Sequence, residues 1–139
     1  MKINLIRKKL FWNLLWIIPV VLIYLTFSDL EDCQAMVIDT YEIHSNIDIP
    51  AVLPLNCYYD EEIDVRISVY ILEGTLNLNR FKTMDRYETI GLLSGRNLLN
   101  ENEIPKSDKL SVATGDKWGR TWTYVFEAKT RRLWAELKY

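Results

Sequence analysis

The clearest pattern along the chain is a strict alternation between positions 65 and 71. Apolar side chains occupy every second position there, at Val65, Ile67, Val69 and Ile71. Successive side chains of a β-strand point to opposite faces, so this spacing predicts a strand with one apolar face and one mixed face. Gly74 follows and indicates a bend, a bulge or a turn into residues 75–81.

The carboxyl-terminal part of the chain predicts three consecutive antiparallel strands. The expected strands are residues 109–114, 120–127 and 132–138, joined by turns over residues 115–119 and 128–131. Aromatic side chains share one face of the middle strand and aliphatic side chains share one face of the last, in two rows: Trp122, Tyr124 and Phe126, then Leu133, Ala135 and Leu137. Facing rows of this kind pack together in the core of a sheet.

The segments before and between these strands are less regular. Residues 35–44 predict a strand. Residues 45–54 contain two prolines and predict an extended connection or an edge strand, because proline cannot donate a ladder hydrogen bond. Residues 97–107 predict a loop, since they combine polar residues with Pro105.

The segment around residue 90 is ambiguous between helix and strand. Apolar residues recur at every third position from 81 to 90, which allows a short helix. Gly91 and Gly95 weaken a helix, so we expect a strand over residues 86–93. The fold class expected is mainly β, or α+β: one amino-terminal transmembrane helix followed by a small antiparallel β-sheet domain.

The transmembrane helix is predicted from an uncharged run at residues 10–27. As a helix it spans about 27 Å, close to the roughly 30 Å hydrocarbon core of a bilayer. A cleaved signal peptide has a shorter run and a small-residue cleavage site, which residues 28–32 do not provide. A lipoprotein signal ending at Cys33 would need small residues where Glu31 and Asp32 stand. The run therefore predicts an uncleaved signal anchor.

Charge predicts the orientation of this anchor. Four cations, Lys2, Arg7, Lys8 and Lys9, precede it, and no Lys or Arg occurs again until Arg66. Positive flanks stay on the cytoplasmic side. We therefore expect a basic cytoplasmic stub at residues 1–9, an anchor at residues 10–27 in the bacterial inner membrane, and an extracytoplasmic, periplasmic β-rich domain at residues 28–139.

Composition changes this picture mainly through charge. The 139 residues are 49% apolar, enough for one core, and carry a formal net charge of -2. That value conceals ten acids and no cation in residues 29–65, followed by an excess of cations in residues 66–139. The separation is explained either by ion pairing within the fold or by an acidic surface that holds a cationic partner. Nucleic acid is a poor partner for an acidic domain outside the cytoplasm.

No motif assigns a reaction to the chain. His44 and Ser45 are adjacent, and neighbours on a strand point to opposite faces, so we expect His44 to be a surface or interface residue. The acidic run near residue 60 lacks a calcium-loop pattern and predicts a solvated turn. Cys33, Cys57 and His44 lack the spacing of a zinc site. We expect no metal, no cofactor and no enzymatic activity.

The favoured hypothesis is a protein that binds another envelope protein through the periplasmic domain. In organisation only, the chain resembles membrane-anchored immunity proteins and small accessory subunits of envelope machines, and no motif carries that resemblance. The expected contacts are acidic residues and exposed aromatic side chains: Tyr58, Tyr59, Asp60, Glu61, Glu62, Asp64 and Trp118.

Two alternatives remain open. A carboxylate-dependent envelope hydrolase would need a concave pocket in which two acids converge and their pKa values are raised. A protein that acts through its transmembrane helix would lose activity when residues 10–27 are replaced by an unrelated anchor.

The two cysteines are predicted to form a disulfide bond. Cys33 and Cys57 both lie outside the reducing cytoplasm in the predicted orientation, and the bond would contribute about 3 kcal/mol by closing a loop. Alkylation of the native protein with and without reductant, followed by mass measurement, is expected to show labelling only after reduction. An intermolecular bridge would appear as a dimer without reductant, and labelling without reductant would show two free thiols.

Overall fold

The structure is a computed structural model that describes residues 18–19 and 37–139. The chain divides into two compact units, Met1–Asp32 and Cys33–Tyr139. The predicted stub and the predicted anchor lie outside the described residues, apart from two helical residues, Ile18 and Pro19. Within the described ranges, no helix is both long enough and apolar enough to span a membrane.

The second unit contains one antiparallel sheet of six strands. The strands are β1 (Val52–Asp60), β2 (Val65–Leu72), β3 (Lys82–Asp85), β4 (Lys109–Lys117), β5 (Arg120–Glu127) and β6 (Arg132–Lys138). Their order in the sheet is β1-β2-β6-β5-β4-β3. Two α-helices, α1 (Val37–Ser45) and α2 (Arg86–Leu92), and a 3₁₀ helix at Arg96–Leu98 complete the described elements. The expected small, mainly β, antiparallel domain is confirmed.

The predicted aromatic and aliphatic rows meet as expected. Trp122 lies opposite Leu137, Tyr124 opposite Ala135, and Phe126 opposite Leu133. These residues form one core cluster with Tyr70 and Leu72 of β2. We call this side of the sheet the helix face, because α1 packs against it. The predicted strands at residues 120–127 and 132–138 have the bounds of β5 and β6.

The opposite side of the sheet carries a second core. We call it the loop face, because the segment after α2 covers it. Its buried members are Ile67, Val69, Leu93, Leu99, Leu110, Val112, Val125 and Trp134. The alternation predicted for β2 is present, and its mixed face is also buried, because Ser68 and Tyr70 lie under α1. Both faces of the sheet are therefore core.

The prediction of a strand at residues 35–44 was wrong, since residues 37–45 form α1. Tyr41, His44 and Ser45 are buried against the sheet, whereas Ile43 is 56% exposed. Positions three and four apart share one face of a helix, which is the spacing of these buried residues. Packing of that face on the sheet outweighs the strand preference of the local sequence.

The prediction of a strand at residues 86–93 was also wrong. Residues 86–92 form α2, and the strand β3 precedes it. Thr89 is the buried residue of α2, and its hydroxyl donates to the carbonyl oxygen of Asp85 (2.8 Å). Gly91 costs about 1 kcal/mol of helix propensity relative to alanine. Leu93, fully buried just after the helix, offsets that cost.

The remaining connections differ from the predictions in detail. The expected extended connection or edge becomes coil followed by the edge strand β1, whose pairing register shifts between Pro54 and Asn56. Strand β4 continues beyond residue 114 to Lys117. The turn predicted over residues 115–119 is therefore reduced to Trp118 and Gly119.

Gly115 is expected to be intolerant of a side chain. A β-carbon at this position would lie 2.5 Å from Cζ2 of the buried Trp122 ring, so Gly115→Ala should lower the free energy of unfolding by roughly 1–3 kcal/mol. Gly91→Ala is the matched control, because a β-carbon there meets no atom within 4 Å. Chemical denaturation measures both variants, and equal midpoints would contradict this packing of Gly115 against Trp122.

Candidate functional site

Both long hairpins turn at the same end of the sheet. Lys138 of β6 lies opposite Val65 on one side and opposite Thr121 on the other. The β1–β2 turn and the β4–β5 turn therefore flank the end of β6. We call this region, residues 59–66, 116–121 and 138–139, the hairpin end. It brings the predicted acidic contacts and Trp118 to one part of the molecule, although they are far apart in sequence.

The acidic residues form a solvated turn, as the sequence predicts. Residues 61–64 are exposed, and the Asp60 carboxylate accepts the backbone N–H groups of Glu62 (2.9 Å) and Ile63 (3.4 Å). The Tyr59 hydroxyl donates to Asp64 Oδ1 (2.8 Å), which raises the pKa of Tyr59. These bonds fix the turn while Glu61 and Glu62 face solvent.

Tyr58 lies apart from the other predicted contacts. Its side chain is on the loop face, where its hydroxyl donates to Glu103 Oε2 (2.8 Å) and accepts from Asn100 Nδ2 (3.0 Å). Burial and the hydrogen bond to Glu103 raise the pKa of Tyr58. Tyr58 therefore helps to hold residues 100–103 on the sheet.

Trp118 occupies the β4–β5 turn in an unfavourable backbone conformation. Its φ is +55° and that of Gly119 is +75°, which is the pattern of a two-residue hairpin turn that favours Asn-Gly. A residue with a β-carbon in the left-handed region costs about 1–2 kcal/mol. The side chain is nevertheless 71% exposed, so this cost is not offset by burial in the core.

The Trp118 ring has two neighbours. Lys117 Nζ lies 4.4 Å from its centroid, and the His44 ring meets it edge-on at 5.6 Å. Lys117 Nζ also donates to the carbonyl oxygen of Ile43 (2.6 Å), which links the turn to α1. The exposed ring is therefore held in place on its inner side.

The expectation of a surface or interface histidine was wrong, because His44 is buried within the domain and only 5% exposed. Its Nδ1 bonds the carbonyl oxygen of Thr40 (2.8 Å) and its Nε2 bonds Arg120 Nη1 (3.1 Å). A guanidinium group only donates, so Nε2 accepts and Nδ1 carries the proton, an assignment that follows from the partners. Ser45 bonds the Tyr124 hydroxyl (3.0 Å). His44 and Ser45 thus form hydrogen bonds with different partners.

A row of cations and aromatic rings crosses the helix-face side of the hairpin end. The Arg66 guanidinium carbon lies 5.8 Å from the Tyr59 ring and 5.9 Å from the Tyr139 ring. The Arg120 guanidinium carbon lies 4.4 Å from the Tyr139 ring. Arg66 Nε is buried and has no hydrogen-bond partner among the described residues. An unpaired buried donor costs about 1–3 kcal/mol of stability.

These arginines were not among the predicted contacts. Arg66 and Arg120 each stand at the start of a strand. Alternation places Arg66 on the same face as Ser68 and Arg120 on the same face as Trp122, which is the helix face in both cases. Their proximity depends on β6 lying between β2 and β5. Sequence spacing alone carries no signal of that order.

Three buried carboxylates lie on the loop face, and one of them, Glu127, accepts a hydrogen bond from Thr130 in the β5–β6 turn. Glu103, Glu127 and Glu136 each accept backbone N–H groups from residues 94–107. Burial raises the pKa of Glu136, against the opposing bonds from Gly95 and Ser94. Burial also acts to raise the pKa of Glu127, but bonds from Thr130, Ser107 and Lys106 outweigh it and lower that pKa.

Glu127 and Glu136 do not form a close pair along the sheet. Glu127 lies opposite Arg132, four positions before Glu136 on β6, which separates them by about 13 Å at the usual rise of a strand. A cavity of about 490 Å³ is lined by Arg86, Tyr87, Ile90, Gly91, Arg96 and Asp108. Among the residues the structure describes, no three His, Cys, Asp or Glu side chains are arranged to hold a metal ion.

Cys57 lies on β1, opposite Ser68 and on the helix face. It carries a disulfide bond. Cys33, the predicted partner, lies outside the described residues, so the pairing stays a prediction.

A comparison of the chain with known protein families, curated proteins and solved structures found no match.

Acid is expected to weaken the contacts that Glu127 makes on the loop face. Because its pKa is lower in the folded protein, Glu127 stabilises the fold above the unfolded pKa of about 4.3, and this contribution is lost as pH falls through the folded value. Glu127→Gln should lower the free energy of unfolding by about 1.5–3 kcal/mol at neutral pH and flatten its decline below about pH 4.3. Denaturant titrations across this range measure both effects, with the exposed Glu88→Gln as control. Identical pH profiles for Glu127→Gln and wild type would sink the idea.

Proposed function

We propose that the chain is a single-span protein of the bacterial inner membrane whose periplasmic β-rich domain binds another envelope protein. In this proposal it acts as an immunity protein or as an accessory subunit. The observation that carries the proposal is Trp118, which is exposed on a rigid, strained turn beside the acidic turn. The anchor and its orientation rest on the uncharged run and the cations that precede it.

The turn at Trp118 has the properties of a binding hot spot. Tryptophan is enriched at the centres of protein interfaces, where its large ring enters a pocket of the partner. Backbone strain is often concentrated at sites of function. Trp118 combines this strain with an exposed ring, and contacts with Lys117 and His44 fix the ring. Little side-chain freedom is then lost on binding.

The acidic turn supplies the electrostatic part of the proposed surface. Asp60, Glu61 and Glu62 are consecutive at the β1–β2 turn, and no Lys or Arg precedes Arg66 in that hairpin. Exposed charges of one sign steer an oppositely charged partner and raise the association rate, more than they add to affinity. We therefore expect a partner with a cationic patch and an association that weakens with salt.

The hydrolase alternative finds less support in the geometry. The buried acids accept backbone N–H groups of the chain that covers the loop face, and the backbone positions of Glu127 and Glu136 are about 13 Å apart along the sheet. The cavity near α2 is lined by one acid, Asp108, and two arginines.

The proposal is tested by photo-crosslinking from the hairpin end in living cells. A photoreactive phenylalanine analogue at position 118 of the full chain is expected to capture one discrete protein. The matched control is position 87, since Tyr87 is 92% exposed but lies on α2. A pattern at position 118 that is indistinguishable from that at position 87 would contradict the proposal.

Two variants then separate the contributions to binding. Trp118→Asn suits the turn conformation, so it should fold normally and weaken the captured complex by about 30-fold, the effect of losing roughly 2 kcal/mol. Changing Asp60 to Asn, and Glu61 and Glu62 to Gln, removes three negative charges. This change should slow association and flatten its salt dependence. A chain with Glu73, Glu88 and Glu101 changed to Gln carries the same charge change on other exposed positions and should bind like wild type.

A further inference from the structure

Two guanidinium groups approach one aromatic ring at the hairpin end. Arg66 and Arg120 lie 5.9 Å and 4.4 Å from the Tyr139 ring centroid. Like charges held around one ring repel each other unless an anion lies between or beside them. An anion placed beside both guanidinium groups would relieve that repulsion.

The nearby acids of the two hairpins are engaged elsewhere. Asp64 accepts a hydrogen bond from the Tyr59 hydroxyl (2.8 Å), and Asp116 accepts one from Thr121 (2.7 Å). Arg66 Nε remains buried without a hydrogen-bond partner in the described part of the chain. Buried donors without partners are rare in folded proteins, and each one calls for an explanation, such as an ordered water molecule or an ion.

Arg120 is oriented for a ligand by α1. One of its terminal nitrogens donates to His44 Nε2 (3.1 Å), which fixes the guanidinium plane beside Tyr139. Arg66 is flanked by Tyr59 and Tyr139, so aromatic rings border it on two sides. Arginine forks recognise planar anions through paired N–H donors, and carboxylates fit that geometry.

We infer that Arg66, Tyr139 and Arg120 form a binding site for a carboxylate, which an acidic side chain of the protein partner supplies. This inference rests on the proposed function and adds to it the chemistry of the partner. The partner then carries two neighbouring groups. An acidic residue contacts Arg66 and Arg120, and a cationic patch contacts the acidic turn. Each protein thus presents one acidic group and one basic group. This pairing fixes the orientation of the complex, because a reversed docking would bring like charges together.

An anionic membrane surface is the less suitable ligand. Anionic lipids attract clustered cations, but the same surface would repel the acidic turn at Asp60, Glu61 and Glu62. The acidic turn and the arginine pair share the hairpin end, so a uniformly negative surface meets both. A single carboxylate on a protein meets only the arginines.

The test is a titration of the full, ¹⁵N-labelled chain in nanodiscs of phosphatidylcholine, followed by NMR. The probe is a tri-glutamate peptide with both ends blocked, and the reporter is the Nε–H resonance of Arg66, assigned by its loss in Arg66→Lys. We expect a saturable shift of this resonance and a several-fold weaker affinity in Arg120→Lys, which keeps the charge but loses the fork. Backbone amide spectra establish that each variant is folded.

Arg80→Lys is the matched control. Arg80 also lies over an aromatic ring, Trp122 at 5.9 Å, but its guanidinium donates to the carbonyl oxygens of Ser45 and Asn46. The variant should bind the peptide like wild type. A shift of Arg66 that does not saturate, or an equal loss of affinity in Arg80→Lys, overturns the site.

Two further titrations, one with phosphate and one with anionic lipid, identify the source of the anion. Saturation by inorganic phosphate but not by the peptide overturns the carboxylate assignment. A shift of Arg66 that appears only in nanodiscs containing phosphatidylglycerol, without peptide, overturns it in favour of the membrane. The titration needs no partner, so its failure leaves the crosslink at position 118 standing. A positive titration without that crosslink supports the carboxylate site but contradicts the proposal that a protein partner supplies the carboxylate.

Discussion

Strand β6 carries apolar side chains on both of its faces, and the rest of the domain is arranged to bury them. Leu133, Ala135 and Leu137 face α1, while Trp134 faces the opposite side, and all four have almost no exposed surface. A sheet with two apolar faces needs a cover on each. Helix α1 provides one cover, and residues 86–107 provide the other. The position of β6 between the two hairpins then places both turns at one end.

Outside α2 and the short 3₁₀ helix, the cover on the loop face is irregular chain, which leaves some backbone N–H groups without partners in a helix or a sheet. Buried carboxylates supply those partners: Glu136 accepts from Ser94 and Gly95, and Glu127 accepts from Lys106 and Ser107. Buried polar groups are costly unless paired, so each acid and each amide depends on the other. The acids thus have a structural role that composition alone does not reveal.

The sequence predicts those elements whose signal is local. Strand β2 alternates strictly, and β5 and β6 are bounded by tight turns, so their bounds follow from the pattern. Helix α1 was mistaken for a strand because its buried spacing, at Tyr41, His44 and Ser45, covers little more than one turn. The acidic turn and Trp118 were predictable as exposed hairpin residues. The arginine pair was not, because Arg66 and Arg120 meet only through the order of the strands.

Rigidity at the hairpin end depends on the same packing as the core. His44 is buried on α1, bonds Arg120 and meets Trp118 edge-on, so the position of α1 determines the position of both side chains. Tyr41 of the same helix bonds the Ser68 hydroxyl (3.2 Å) on β2, two positions after Arg66. A shift of α1 would therefore move Trp118 and Arg120 together. Because α1 is fixed by the core, the packing of the domain itself positions Trp118 and Arg120 at the hairpin end.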